Sequence, residues 1–247
     1  MTIKTIKFLG ITFYNENYTQ IKNRLFQKKS YLVIPAASAL GNVFFSKNKY
    51  YLKSLQKAKV AIFDSGFFCI CLLFFKFVIV KKFSGYKLIN FFLSDTAMKS
   101  KKILILNSNK KEKKLNMTLL NNFKFQFQRH YICPIYNSEL LHDKMLIKIV
   151  NNYKPEIVII NIGGGIQEIL AFYLRQNVKK KFATICSGAA MGYFSGSQAP
   201  VSKLTDKYYL GWLIRLIFNP AIFIPRLTKS IFLIYIVLNN SVTCVRR

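Results

Sequence analysis

Acidic residues are scarce in this sequence, and one of them comes directly after an apolar run. Asp64 follows the segment Val60–Phe63 and precedes Ser65 and Gly66. A carboxylate at the end of a buried strand is held by rigid backbone, which suits a general base. Asp is also a common N-cap of a following helix, where it accepts hydrogen bonds from free backbone amides. The residues around Asp64 leave both interpretations open.

A glycine-rich turn is the second candidate for chemistry. It follows the apolar run Ile157–Ile162 and leads into a helical pattern, an arrangement that brings backbone amides and a helix N-terminus to a phosphate group. The complete GxGxxG pattern and the Lys-Ser/Thr of a P-loop are missing, which disfavours dinucleotide-binding and NTPase functions. Glu168 suits either binding to ribose hydroxyls or stabilisation of the helix dipole. The residues of this candidate phosphate-binding turn are Gly163, Gly164, Gly165, Gln167 and Glu168.

Short apolar runs that alternate with helical patterns predict the elements that must hold these residues. We expect strands at Ile6–Phe13, Tyr31–Pro35, Val60–Phe63, Lys102–Leu106, Ile157–Ile162 and Phe182–Cys186. We expect helices at Tyr18–Lys28, Ala37–Lys57, from Gly66 onward, and at Glu112–Phe123, Glu139–Val150 and Gln167–Gln176. The alternation predicts an α/β fold, with a Rossmann-like, largely parallel sheet and helices on both faces.

The predicted sheet brings the candidate residues together. Open parallel sheets bind ligands beyond the carboxyl ends of their strands. Asp64 and the glycine turn each follow a predicted strand, and so does the segment Cys186–Gly192, which contains Gly188. The sequence therefore predicts one cleft lined by several strand ends.

Composition limits the classes of function. The chain has 247 residues, with 38 Lys and Arg against 9 Asp and Glu, a formal charge of +29, and 52% hydrophobic residues. The apolar content excludes a generally disordered chain and favours phosphorylated substrates or anionic lipid over nucleic acid as partners of the charge. Five Cys without a CxxC pair and two His predict neither a zinc site nor a disulfide framework. No carboxylate cluster suits a divalent ion, and no Ser or Cys elbow suits a hydrolase triad.

Two apolar stretches bear on a membrane. Phe67–Val80 is shorter than the roughly 20 residues that a helix needs to cross a bilayer, so we interpret it as a buried helix. Leu210–Leu238 mixes aromatic residues with Arg and Lys, which suits a helix in the headgroup layer or a helix packed on the domain. The first residues lack the apolar segment and cleavage site of a secretory signal, so a cytoplasmic location is expected.

Taken in order, the motifs resemble the WecG/TagA/CpsF family of bacterial glycosyltransferases over nearly the whole chain. The Gln167–Glu168 pair and the Trp-x-x-Arg-Leu ending are the most specific of them. The residues that carry the resemblance are Phe8–Phe13, Val60–Gly66, Phe83–Leu88, Ile162–Glu168, Gly188–Ala190, Ser195–Gly196, Ala199–Pro200, Leu210–Leu216, Asn219–Pro220 and Arg226.

The resemblance implies a chemistry. Family members transfer a sugar, often N-acetylmannosamine, from a UDP donor to a polyprenyl-diphosphate-linked acceptor at the cytoplasmic face of the membrane. It implies an inverting reaction without metal or other cofactor, in which Asp64 is the base and Arg215 and Arg226 stabilise the departing diphosphate. It implies that residues 1–200 form the Rossmann-like domain and residues 201–247 a membrane-associating appendage; whether the chain forms a homo-oligomer stays open. Together with the two glycine-bearing segments, the expected substrate-binding residues are Ser65, Gly66, Gly85, Gly163, Gly164, Gly165, Gln167, Glu168 and Gly188.

Four departures from the family pattern fall in the expected pocket. Ser65 separates the usual Asp-Gly pair, and Ile34–Ala37 replaces a polar Thr-Pro-Asn-like segment. Lys87 and Gly211 stand where acidic residues are usual. A divergent transferase is therefore one hypothesis, and a catalytically inactive member that binds a nucleotide sugar or a lipid-linked glycan is the alternative.

Overall fold

The apolar runs of the sequence form the strands of one sheet. The computed structural model describes residues 3–43, 49–137, 141–188, 190–198 and 216–246. The strands are β1 (Ile3–Phe8), β2 (Ile11–Tyr14), β3 (Tyr31–Val33), β4 (Val60–Ile62), β5 (Lys102–Asn107), β6 (Phe127–Ile132), β7 (Ile157–Asn161), β8 (Ala183–Cys186) and β9 (Val242–Arg246). They pair in the order β6-β5-β7-β8-β3-β4-β2-β1-β9.

Most of this sheet is parallel, as the sequence predicts. All neighbouring pairs from β6 to β2 are parallel, whereas β1 pairs antiparallel with both β2 and β9 at one edge. The central strands β3, β4, β7 and β8 are buried along their whole length, which explains why they read as continuous apolar runs. The edge strands β6 and β9 have no counterpart among the predicted strands.

The first predicted strand is wrong in one respect. Ile6–Phe13 is expected as one strand, but the structure has the β1–β2 hairpin, with Leu9 and Gly10 in the turn. Both turn residues have positive φ, 51° at Leu9 and 75° at Gly10. The Gln56 side-chain amide donates to the Leu9 carbonyl at 2.9 Å and so ties the turn to a neighbouring helix. This distant contact supports a left-handed leucine that the local pattern does not indicate.

Helices cover both faces, as predicted. They are α1 (Tyr18–Lys28), α2 (Ala37–Asn42), α3 (Lys49–Lys57), α4 (Gly66–Lys76), α5 (Gly85–Ser94), α6 (Thr96–Lys99), α7 (Lys110–Asn122), α8 (Lys144–Tyr153), α9 (Ile166–Asn177), α10 (Gly192–Ser195) and α11 (Pro220–Asn239). One hydrophobic cluster joins the sheet to α2, α3, α4, α8, α9 and α11, and a second cluster joins the opposite face to α1, α5 and α7. The two clusters are the layers of the predicted α/β fold.

Helix α4 departs from the interpretation of Phe67–Val80 as a buried helix. Its inner side packs in the core through Phe68, Cys69, Cys71 and Leu72. Its outer side is exposed and equally apolar, with Phe74 68% exposed. The side chain of Ser65 caps the first turn, and the helix ends at Phe77 in the left-handed conformation. The stretch is therefore a half-buried surface helix rather than a fully buried one.

The C-terminal segment is closely joined to the rest of the structure. Leu233, Ile236 and Val237 of α11 are buried in the first cluster. A Cβ at Gly41 of α2 would collide with the backbone oxygen of Lys229, so the glycine allows α2 and α11 to pack backbone to backbone. Among the described residues, no helix combines the length and the apolar character needed to cross a bilayer. The division of the chain at residues 200 and 201 stays a prediction.

Candidate active site

Asp64 does not cap the helix that follows it. Ser65 takes that role, because its Oγ accepts a hydrogen bond from the amide of Phe68 at 3.2 Å. The carboxylate of Asp64 instead accepts, through Oδ1, the amide of Gly85 at 2.7 Å. Gly85 is the first residue of α5, which is capped by Ser84. The Asp64 side chain is therefore held between the end of β4 and the first turn of another helix, and it is half-buried.

Gly85 is where three strand ends meet. A Cβ at this position would lie 3.2 Å from the Cβ of Ala190, 3.3 Å from Cδ1 of Ile34 and 3.7 Å from Oδ1 of Asp64. Ile34 follows β3, Asp64 follows β4 and Ala190 follows β8. A Cβ at this position would require the Ala190 and Ile34 side chains to shift by a few tenths of an ångström, so glycine favours the close approach of these segments.

The glycine turn lies at the same carboxyl edge of the sheet, after β7. Gly163 and Gly164 are exposed, and a Cβ on either would meet nothing within 4 Å. Gly165 has a φ of 98° and precedes α9, and its amide donates to Oε2 of Glu168 at 2.7 Å. Two exposed glycines beside the start of a helix leave open space in which backbone amides are accessible to an anion.

Gln167 connects this turn to the segment after β8. Its Nε2 donates to Oε1 of Glu168 at 2.9 Å, and its Oε1 accepts the amide of Gly188 at 2.8 Å. Gly188 has a φ of 57°, a left-handed conformation that favours glycine. The Gln167 side chain is buried, so its amide group serves as a fixed bridge between the ends of β7 and β8.

Glu168 is buried beneath the turn. Its two carboxylate oxygens accept hydrogen bonds from the Gly165 amide and from Gln167. Burial raises the pKa of the Glu168 carboxyl, and these hydrogen bonds offset part of that effect. Of the two roles suggested by the sequence, ribose binding and support of the helix start, these contacts match the second directly.

Buried polar residues below the cleft were not singled out by sequence reasoning. Asn161 ends β7, and its side-chain amide donates to Oε2 of Glu112 at 3.0 Å. The Oγ of Ser187, after β8, donates to the carbonyl of Ile160 at 3.0 Å. The sequence pattern that could have indicated them is a polar residue at or just after the end of an apolar strand. Such a residue lies at the carboxyl edge of the sheet, where ligands bind.

The connections between neighbouring strands indicate where a ligand crevice is expected. Strands β5 and β7 are neighbours in the sheet. The connection from β5 to β6 runs through α7 in the second hydrophobic cluster, whereas the connection from β7 to β8 runs through α9 in the first cluster on the opposite face. Ligands of open α/β sheets bind where neighbouring strands send their connections to opposite faces. The glycine turn lies directly at this position, and Asp64 follows β4, three strands further along the sheet.

Of the two expected arginines, Arg226 lies among the described residues and Arg215 does not. Arg226 is exposed on α11, with its guanidinium carbon 5.1 Å from the centre of the Phe223 ring. The structure does not describe Ala189, Ala199–Pro200 or residues 210–215 of the C-terminal motif, which include Arg215. Gly66 begins α4 beside Asp64, so the substrate-binding residues predicted around Asp64 do share one region. Within the part of the chain that the structure describes, no group of three His, Cys, Asp or Glu side chains could hold a metal ion.

Comparison with known families defines the class of protein to which this cleft belongs. A family model, described as the glycosyl transferase WecG/TagA/CpsF family, matches residues 4–246. The chain therefore belongs to the WecG/TagA/CpsF family of glycosyltransferases. A comparison with curated proteins gave no match.

Proposed function

We propose that the chain transfers a hexose similar to N-acetylmannosamine from a UDP-sugar to a polyprenyl-diphosphate-linked acceptor in cell-envelope or exopolysaccharide synthesis. The reaction takes place at the inner surface of the cytoplasmic membrane and inverts the anomeric carbon without a metal ion. Membership of the glycosyltransferase family supports the class of reaction. The observation that carries the assignment of the base is the Gly85 amide on Oδ1 of Asp64, at the carboxyl edge of a parallel sheet.

In the proposed step, Asp64 takes the proton of the acceptor hydroxyl while that oxygen attacks the anomeric carbon. The bond from this carbon to the UDP oxygen breaks, and the diphosphate leaves with an additional negative charge. Fixing the carboxylate by a backbone amide orients it before the reaction, which is how a positioned base contributes about 10²–10⁴ in rate.

The glycine turn is the proposed site for the donor diphosphate. The open space over Gly163 and Gly164 and the adjacent N-terminus of α9 are favourable to a negatively charged group. Gln167 and Glu168 hold the turn in shape from below. We assign stabilisation of the leaving UDP to Arg215 and Arg226, on the strength of the family motif.

The test is Asp64→Asn, assayed by UDP release from UDP-N-acetylmannosamine and other UDP-sugars with a polyprenyl-diphosphate-linked acceptor. Turnover should fall by about 10²–10⁴, because the amide cannot accept the proton. UDP should still raise the thermal midpoint of the variant, because the nucleotide binds elsewhere in the cleft. Asp95→Asn is the control: it removes one carboxylate charge at the start of α6, where Asp95 pairs with Lys22, and it should keep turnover.

A wild-type chain that releases no UDP with any donor and acceptor would overturn the transferase proposal. One observation favours the alternative of an inactive binding protein: the apolar Ile34 side chain lies beside Gly85, in a segment that is polar in the family pattern. In that case the thermal shift with UDP or a UDP-sugar would persist without turnover.

A further inference from the structure

The outer surface of α4 is unusual for a protein in water. Helix α4 and the residues after it expose Ile70, Leu73, Phe74 and Phe77, and the neighbouring helix α11 exposes Ile231 and Leu238. We refer to these six side chains as the α4–α11 face. Soluble proteins rarely expose contiguous apolar patches of this kind without a partner.

The two helices of this face are fixed to each other. Both pack in the first hydrophobic cluster, through Leu72 of α4 and Leu233 of α11. At their C-terminal ends the Lys76 ammonium group donates to the carbonyl of Leu238 at 3.1 Å. The exposed side chains therefore belong to one rigid surface, to which the body of the protein contributes as much as the C-terminal segment does.

Phe77 adds a second, independent observation. It is 90% exposed, and its φ is 53°. A left-handed conformation is strained for a residue with a Cβ, and glycine is the usual residue at such a helix end. Phe77 therefore combines backbone strain with an aromatic ring that has almost no packing within the chain. Both features are explained by a binding partner that contacts the ring.

Charge identifies the occupant. Residues 65–94 and 207–247 contain no Asp or Glu, whereas they carry several Lys and Arg residues, among them Lys76, Lys81 and Lys229. Aromatic and aliphatic side chains bordered by cations are suited to the boundary between acyl chains and anionic headgroups. A second copy of the chain would bring the same cations against each other, which disfavours self-association through this face.

We infer that the α4–α11 face is the surface by which the protein lies on an anionic bilayer, with α4 of the body inserting alongside α11. The inference rests on the proposed lipid-linked acceptor and extends it. Helix α4 starts two residues after Asp64, and its axis is about 16 Å long. A bilayer held against α4 would therefore present a lipid-linked sugar close to the proposed base.

The experiment measures co-sedimentation of the full chain with vesicles of phosphatidylglycerol and phosphatidylcholine, without donor or acceptor. The double variant Phe74→Ser/Phe77→Ser should lower the partition coefficient about tenfold or more. The matched control is Ile135→Ser/Met145→Ser, which removes two other exposed apolar side chains, Met145 being on α8. The control should bind as the wild type does.

A second variant tests the charge. Lys81 is exposed beyond the end of α4, and Lys81→Gln should weaken binding to anionic vesicles about fivefold at low salt, with no effect on vesicles of phosphatidylcholine alone. The UDP-dependent rise of the thermal midpoint should be the same in all variants, which shows that they are folded.

Unchanged vesicle binding by Phe74→Ser/Phe77→Ser would overturn the inference. So would a shift of that variant from dimer to monomer in size-exclusion chromatography without a loss of vesicle binding, because the face would then join two copies. Asp64→Asn should bind vesicles normally, so failure of the proposed function and failure of this inference give different results.

Discussion

Helices α4 and α9 both begin beside the candidate site. They differ in the residue types on the side that faces away from the core. Helix α9 buries Ile169, Leu170 and Leu174, and the residues it exposes, Gln176 and Asn177, are polar. Helix α4 buries a similar set but has apolar residues all round, and its outer side stays exposed. The comparison teaches that burial can be inferred from periodicity only when the outward positions are polar.

The largest expected difference between the two helices is in the stability lost when a leucine is replaced by alanine. Leu170 of α9 is 0% exposed, whereas Leu73 of α4 is 41% exposed. Leu170→Ala should lower the free energy of unfolding by about 2–5 kcal/mol because it leaves a cavity. Leu73→Ala should lower it by less than about 1 kcal/mol. Urea denaturation measures both, and equal losses would show that α4 is packed as tightly as α9.

A smaller effect is expected where α9 begins. Gly165→Ala should cost about 1–3 kcal/mol of stability, because its φ of 98° is strained for any residue with a Cβ. Gly163→Ala is the matched control, since a Cβ there also meets nothing within 4 Å and its φ is not in the left-handed region. A cost as large at Gly163 would mean that something other than backbone strain limits the turn.

The smallest effect is expected where α4 ends. Phe77→Gly should stabilise the protein by about 0.5–1 kcal/mol, because glycine removes the strain of the left-handed conformation. Lys154→Gly at the end of α8 is the control, with a φ of 51° and no apolar surface to lose. Thermal unfolding should show similar gains for both variants, and only Phe77→Gly should reduce vesicle binding. A destabilised Phe77→Gly would mean that the ring packs within the chain.

The sequence was sufficient for the central sheet and for several helices. Helix α1 has the predicted bounds, because the Asn17 and Gln20 side chains cap its start in a recognisable pattern. Strand β6 escaped prediction because it is an edge strand with exposed or half-exposed residues throughout, so no alternation marks it. The helix in the α4 segment is predicted correctly, but the exposure of its outer side is not. Without polar residues, the sequence does not indicate which side of the helix faces solvent.

The candidate site was predictable in its residue types and less so in its contacts. Asp64 and the glycine turn stand out because a strand ends before each of them. The bond from Gly85 to Asp64 joins residues 21 positions apart, and it depends on how α5 returns to the sheet. The bridge from Gln167 to Gly188 likewise depends on the pairing of β7 with β8. Such contacts are set by tertiary packing, which local patterns do not carry.

The pairing of β9 with β1 has a consequence for solubility. Only Asn240 and Ser241 separate α11 from β9. If α11 loses its contact with Gly41 of α2, β9 therefore also separates from the sheet. The backbone amides and carbonyls of β1 would then be open along a strand in which Ile6 and Phe8 are buried on one face and Lys7 is exposed on the other. An uncovered strand of this kind is a template for pairing between molecules. We therefore expect the tight contact between α2 and α11 also to keep β1 paired and closed to other molecules.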